Sequence, residues 1–302
     1  MVLSNNIKGS ILMSMAMAGY TINDALVKST LDTLSTGQII FVRGIISSVL
    51  IFAMAAHFSA LRPLKTIGNP ILLLRVGAEM CATMTYILAL AVVPLAIAAS
   101  IVQFIPLAVT LGAAIFFAES VGWRRWSAII IGFVGVMIII RPGAASFDAA
   151  SILVFISVIF AAGRDLLTRR VPQHIPSLFV TLVTTVSITS LGALLIVPLG
   201  GWQPMTLGDL LRLTLASVFL LIGYQSLIAA MRIGEVSFIA PFRYTGLLWA
   251  ILLGFFMFGS LPDKFMLSGA AVVIVSGLYT FYRENKLRTR ELAQKSAPRV
   301  MH

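Results

Sequence analysis

Long apolar runs succeed one another along almost the whole chain, separated by short polar or Gly/Pro breaks. A helix rising ~1.5 Å per residue needs ~20 apolar residues to cross a hydrocarbon core of ~30 Å. The runs predict ten such helices, at about Ile7–Val27, Gln38–Ala56, Ile71–Ala91, Leu95–Phe117, Trp123–Ile140, Ala149–Thr168, Ser177–Pro198, Asp209–Ala230, Val236–Phe258 and Phe265–Tyr282. Apolar positions are continuous within each run rather than alternating, which excludes a membrane barrel. The expected fold is an all-α polytopic membrane protein. The short connections leave no soluble domain to carry catalysis.

Composition agrees. Of 302 residues, 59% are hydrophobic and 11% charged, with mean hydropathy +1.00. No aqueous fold hides that much apolar surface behind so few charges. The net charge of +11 would suggest nucleic acid in a soluble protein, but its placement points to orientation in a bilayer. With the N-terminus inside, Lys8, Arg62, Lys65, Arg124, Arg125, Arg169, Arg170, Arg232, Arg283, Lys286, Arg288, Arg290, Lys295 and Arg299 fall on the inner side. Only Lys28, Arg141, Arg212 and Lys264 fall on the outer side. This bias predicts a cytoplasmic (inner) membrane protein with both termini in the cytoplasm and a basic tail, 285–302, near lipid headgroups. No nucleic-acid partner is expected.

The chain has one cysteine, Cys81, within an apolar run, so it forms no internal disulfide. The first run ends in Tyr20-Thr21-Ile22-Asn23-Asp24 without a small-residue cleavage pattern and reads as a retained helix. The dipeptide Gly-Lys never occurs, so no Walker-type phosphate loop is present.

A weak internal repeat divides the chain. Asn23-Asp24-Ala25-Leu26-Val27-Lys28 closes the first helix and Arg164-Asp165-Leu166-Leu167-Thr168-Arg169 the sixth. The same offset sets Ala89 on Ala230, Ala99 on Ala240, Gln103 on Tyr244 and Glu119 on Ser260. Five helices per half is an odd number, so the halves run in opposite orientation, an arrangement that places a binding site near the midplane. The expected units are 1–145, 146–284 and the tail 285–302.

Specific segments then resemble a known family. Pro94-Leu95-Ala96-Ile97-Ala98-Ala99-Ser100, Pro106-Leu107, Glu119, Arg125-Trp126, Gly132-Phe133-Val134-Gly135, Arg141-Pro142-Gly143 and Phe41-Val42-Arg43-Gly44 are similar to the drug/metabolite transporter superfamily, EamA branch. The resemblance spans essentially the whole chain. It implies ten helices in two inverted five-helix repeats around a central cavity, working by alternating access, with a small-molecule substrate and no cofactor. Ser260 stands where the resemblance would have an acidic residue before the last helix.

Ionisable residues inside a bilayer cost roughly 2.5–3.5 kcal/mol each, so each needs a reason. Asp24, Arg43, Arg75, Glu79, Arg164, Asp165 and Arg243 qualify. Asp24 with Lys28, Arg75 with Glu79 and Asp165 with Arg169 are i,i+4 pairs on one helix face. Local neutralisation explains such pairs, and Asp24, Asp165 and Arg43 remain alternative gating or ion-coupling groups. Arg43 is expected to find a structural partner in Asp24. Arg43, Glu79 and Arg243 sit roughly 5–8 residues inside their spans, ~8–12 Å deep. Arg243 follows Pro241, which cannot donate a backbone hydrogen bond. Arg243, Tyr244, Gln103 and Glu79 are the expected substrate contacts, and Trp249 a candidate ring-stacking partner. An Arg243–Glu79 ion pair is the structural alternative. Gly132, Gly135, Gly269, Ser276 and Gly277 permit close helix contact, within one chain or between protomers. Monomer and homodimer both stay open.

One free charge of each sign suits a neutral or zwitterionic, partly aromatic solute. The resemblance ranks riboflavin first, then S-adenosylmethionine, then an amino acid or drug. A membrane-embedded enzyme is disfavoured: His57, His174 and His302 lie in loops or the tail, and no metal or nucleophile motif occurs. A channel would need a continuous polar stripe, which the spans lack.

Overall fold

The computed structural model describes residues 5–117, 122–141, 149–233 and 236–296. Glu119, Pro142 and Gly143 lie outside the described residues. Every regular element among those described is helical. The helices are α1 (Asn5–Lys28), α2 (Thr36–His57), α3 (Pro70–Leu90), α4 (Leu95–Val102), α5 (Ile105–Phe116), α6 (Trp123–Ile140), α7 (Ala150–Thr168), α8 (Ser177–Leu195), α9 (Leu207–Ile233), α10 (Val236–Ile239), α11 (Thr245–Phe258) and α12 (Lys264–Ser296).

Local chemistry sets several ends. The Ser35 hydroxyl accepts from the Gln38 amide and caps α2. Asn69 accepts from the amides of Ile71 and Leu72, with Pro70 opening α3, where its missing N–H costs nothing. Gly259, at φ 62°, ends α11 in the left-handed conformation that glycine tolerates.

Among the described residues, seven helical stretches are long and apolar enough to cross a membrane: Thr36–His57, Pro70–Leu90, Leu95–Phe116, Ala150–Thr168, Ser177–Leu195, Leu207–Met231 and Pro241–Phe258. Trp126–Ile140 and Lys264–Thr280 are shorter apolar stretches. α1 has the length, but Asn23, Asp24 and Lys28 dilute its apolar character. Large apolar side chains such as Val49, Leu74, Phe116, Phe256 and Val275 are well exposed. An apolar exterior on this scale suits lipid, not water.

Two expected spans are interrupted. The stretch from Leu95 to Phe116 breaks at Gln103–Phe104 into α4 and α5, because Pro106 has no N–H for the Val102 carbonyl. The stretch from Val236 breaks into α10, a 3-10 turn Ala240–Tyr244 holding Pro241, and α11. Gln103 and Tyr244, at matching repeat positions, therefore stand at matching helix breaks. The last helix also differs from expectation: α12 continues past Tyr282 to Ser296. No Gly or Pro occurs between Gly277 and Pro298, which favours helix propagation.

Helices of the two halves pack on one another. α1 lies against α9, α2 against α8, α3 against α7, α4 against α11 and α6 against α12. Small residues set the close approaches. A Cβ on Gly19 would lie 2.8 Å from the Phe219 carbonyl oxygen, and one on Gly223 3.0 Å from that of Ala16. Gly135 and Gly269 face each other in the same way across α6 and α12, each directed at the other's carbonyl oxygen at 2.9 and 2.6 Å. That contact is within one chain. Gly135→Val should force α6 and α12 apart and destabilise the protein by ~1–3 kcal/mol. A lower midpoint for thermal unfolding in detergent, against an unchanged midpoint for the exposed Ile130→Val, checks this.

Candidate functional site

The paired helices enclose a cavity of about 730 Å³. Seven ionisable side chains of the expected set line it: Asp24, Arg43, Arg75, Glu79, Arg164, Asp165 and Arg243. Tyr20, Tyr86, Gln103, Tyr224 and Tyr244 line it too.

The charges gather into two networks. In the first, α3 and α7 bring Glu79 against Arg164, whose Nη1 donates to both carboxylate oxygens at 3.0 and 3.2 Å. Arg75, one turn before Glu79, approaches it to 3.7 Å and donates to the hydroxyls of Thr168 and Thr184 at 3.1 and 2.6 Å. Arg164 also donates to Asp165 at 2.8 Å. Two cations thus meet two anions. In the second network, Asp24 accepts from the Tyr86 hydroxyl and the Asn23 amide, each at 2.9 Å. Arg43 donates to the Asn23 carbonyl oxygen at 3.0 Å. The buried Asn23 is thus the hinge between Arg43 and Asp24, which meet through it rather than directly.

Both networks touch α3, the first through Arg75 and Glu79 in its first half, the second through Tyr86 in its last turns. Glu79 and Tyr86 are seven residues apart, ~10 Å along the helix. Beyond Tyr86 the cavity is closed by buried Val27, Leu90 and Leu95. Lys28 does not neutralise Asp24. It turns instead to the end of α3, donating to the carbonyls of Leu90 and Val93 at 2.7 and 2.9 Å, where a cation satisfies orphan carbonyls.

Arg243 lines the same cavity. Among the described residues it has neither an ion pair nor a hydrogen-bond partner, and Glu79 is held by Arg164 and Arg75 instead. The expected Arg243–Glu79 pair is therefore absent. Tyr20 and Tyr224 line the cavity beside these charged groups. The Gln103 amide comes 3.9 Å from where a Cβ on Gly246 would stand, three residues beyond Arg243. Tyr244 presents its ring to the cavity but turns its hydroxyl away: that oxygen is buried without a hydrogen-bond partner, against Gly277. A Cβ on Gly277 would overlap it.

The structure thus brings Arg243, Tyr244, Gln103, Glu79, Asp24, Asp165 and Arg43 to one cavity. It does not bring Trp249 there: Trp249 is absent from the lining and 38% exposed on α11. Leu247, Ala250 and Gly254 form the buried face of that helix, and Trp249 lies off it. Sequence reasoning missed Tyr20, Asn23, Tyr86 and Tyr224. Tyr20, Asn23 and Asp24 follow the i, i+3, i+4 pattern of one helix face, a signal that points to Tyr20 and Asn23. Thr181, Thr184 and Thr185 of α8 repeat that pattern and also line the cavity.

Comparisons with known proteins complete the description. The profile of the EamA-like transporter family matches residues 7–141 and again 149–282. An S-adenosylmethionine uptake transporter of Rickettsia bellii is 26% identical over 287 residues, 92% of this chain and 94% of that one. A riboflavin transporter of Vibrio cholerae is 31% identical over 188 residues, 62% of each chain. A pseudopaline exporter of Pseudomonas aeruginosa is 26% identical over 282 residues, 91% of this chain and 96% of that one. A solved crystal structure, 17% identical, shares the fold with TM-score 0.63 over 94% of this chain and 98% of its own.

Proposed function

The chain belongs to the EamA-like transporter family and is a multi-pass membrane transporter; on that premise we propose that it is a secondary carrier of a small organic metabolite across the cytoplasmic membrane, working by alternating access. The observation that carries the reading is the cavity itself: a largely apolar chamber between the two halves, lined by two groups of charged side chains and by residues of two broken helices. Broken helices at matching positions of two repeats are how membrane carriers expose polar backbone to a solute.

Ten spans in two inverted repeats, 1–145 and 146–284, account for the helix pairing. Exchanging the halves maps the first span on the sixth and the third on the eighth. The α1–α9 contact then becomes the α3–α7 contact, while α2–α8 and α6–α12, and the contact of the fourth span with the ninth taken as whole spans, map on themselves. This invariance is what a two-fold axis in the membrane plane produces. In this arrangement the network of Arg75, Glu79, Arg164 and Asp165 lies toward the cytoplasm and that of Asp24, Asn23 and Tyr86 toward the outside. They act as the two gates, and Arg243, Tyr20, Gln103 and Tyr224 hold the solute between them.

Riboflavin is the first substrate to test, because a relative bears that name and the rings of Tyr20, Tyr224 and Tyr244 offer stacking surfaces. S-adenosylmethionine is the second, supported by relatives that span nearly the whole chain. Purified protein in proteoliposomes should show saturable uptake of one of them, and a superimposed proton gradient tests the coupling. Uptake no faster than in empty vesicles for either solute would reject both. The basic-residue asymmetry predicts cytoplasmic termini. A fluorescent reporter active only in the cytoplasm should light up when fused after His302, whereas activity of a periplasm-dependent phosphatase there would break the ten-span count.

A further inference from the structure

We infer that the solute bears an anionic oxygen group, a carboxylate or a phosphate, that docks on Arg243. The inference rests on the carrier reading and sharpens its substrate class. The ionisable side chains lining the cavity are four cations and three anions. Glu79 and Asp165 match Arg164 and Arg75. Asp24 matches Arg43 through Asn23. Arg243 remains, facing the cavity with no anion beside it among the described residues. Among those residues the lining therefore carries one uncompensated positive charge.

A cation without a partner in a low-dielectric chamber is unfavourable, and an entering anion relieves it. The guanidinium fork matches a carboxylate or phosphate with two parallel hydrogen bonds. A solute without an anionic oxygen group, such as riboflavin, leaves the charge unmet, whereas S-adenosylmethionine brings a carboxylate to it. Tyr20, Tyr224 and Gln103 line the same cavity as Arg243, so the anionic group belongs to a body with a flat ring or polar heteroatoms. A free Glu79 suggested a neutral or zwitterionic solute from the sequence; its engagement by Arg164 and Arg75 removes that support.

The test needs no knowledge of the natural solute. In a Cys81→Ala background, Gln103→Cys puts one thiol in the cavity. Its labelling rates with the anionic sulfonatoethyl and the cationic trimethylammonioethyl methanethiosulfonates are compared, each normalised to a free small thiol. The normalised anionic rate should exceed the cationic one by ~10-fold or more, and adding Arg243→Gln should erase the excess. Matched solutes then compete against the labelling. Flavin mononucleotide should protect at ~10-fold or more lower concentration than riboflavin if the group is a phosphate, and S-adenosylmethionine likewise against its decarboxylated form if it is a carboxylate. Equal normalised rates, an excess that survives Arg243→Gln, or equal protection within both pairs would overturn the inference. A failure of the carrier reading would show separately, as absent uptake in proteoliposomes with the rate excess intact.

Discussion

Glu79→Gln should lower the folded yield more than the loss of any other single cavity charge. The carboxylate takes two bonds from Arg164 and faces Arg75, and all three side chains are at most 25% exposed. Glutamine keeps the shape but leaves Arg75 without an anion and Arg164 with Asp165 alone. Breaking a buried ion pair from one side costs about 3–5 kcal/mol. The three side chains keep part of their exposure, so the low end, about 3 kcal/mol, is expected. The readout is the monodisperse fraction after detergent extraction, with the unfolding midpoint. Adding Arg75→Gln should recover part of the loss, because it removes the cation left without an anion. Wild-type yield and midpoint for Glu79→Gln would show that the network carries no structural load.

Arg243→Gln should behave in the opposite way. Arg243 has no intramolecular partner among the described residues, so nothing is stranded when its charge goes, and yield should hold. Transport should fall by ~100-fold if a bidentate, charge-assisted contact to the solute is lost, equivalent to about 3 kcal/mol. Arg243→Lys keeps the charge without the fork and should fall between the two. Reversing both Arg243 and Glu79 should rescue nothing, because the two do not pair. The measurement is uptake per correctly folded molecule, with reconstituted amounts matched.

The helices were largely legible because a bilayer imposes one requirement on every span, a continuous apolar run of sufficient length. The breaks were legible only through Pro106 and Pro241, since proline acts locally on the backbone. Same-helix logic found Arg75–Glu79. It failed for Asp24, whose partner Tyr86 is 62 residues away, and for Glu79, whose main partner Arg164 is 85 residues away. Lys28 was drawn to the carbonyls of another helix end, a competitor invisible to an i,i+4 rule. Trp249 read as a binding residue by its type and depth. The face it occupies is fixed by packing of α11, where the small side of the helix turns inward.

The most direct test of the whole account is counterflow. Proteoliposomes loaded with unlabelled flavin mononucleotide or S-adenosylmethionine are diluted into a trace of the same labelled solute. An alternating-access carrier with its site at Arg243 predicts that internal solute accelerates entry of the label for at least one of the two. It also predicts saturation with rising external solute, and loss of both behaviours in a stably folded Arg243→Gln protein. Flux that is unsaturable and indifferent to internal solute, or that persists undiminished in Arg243→Gln, would contradict the account.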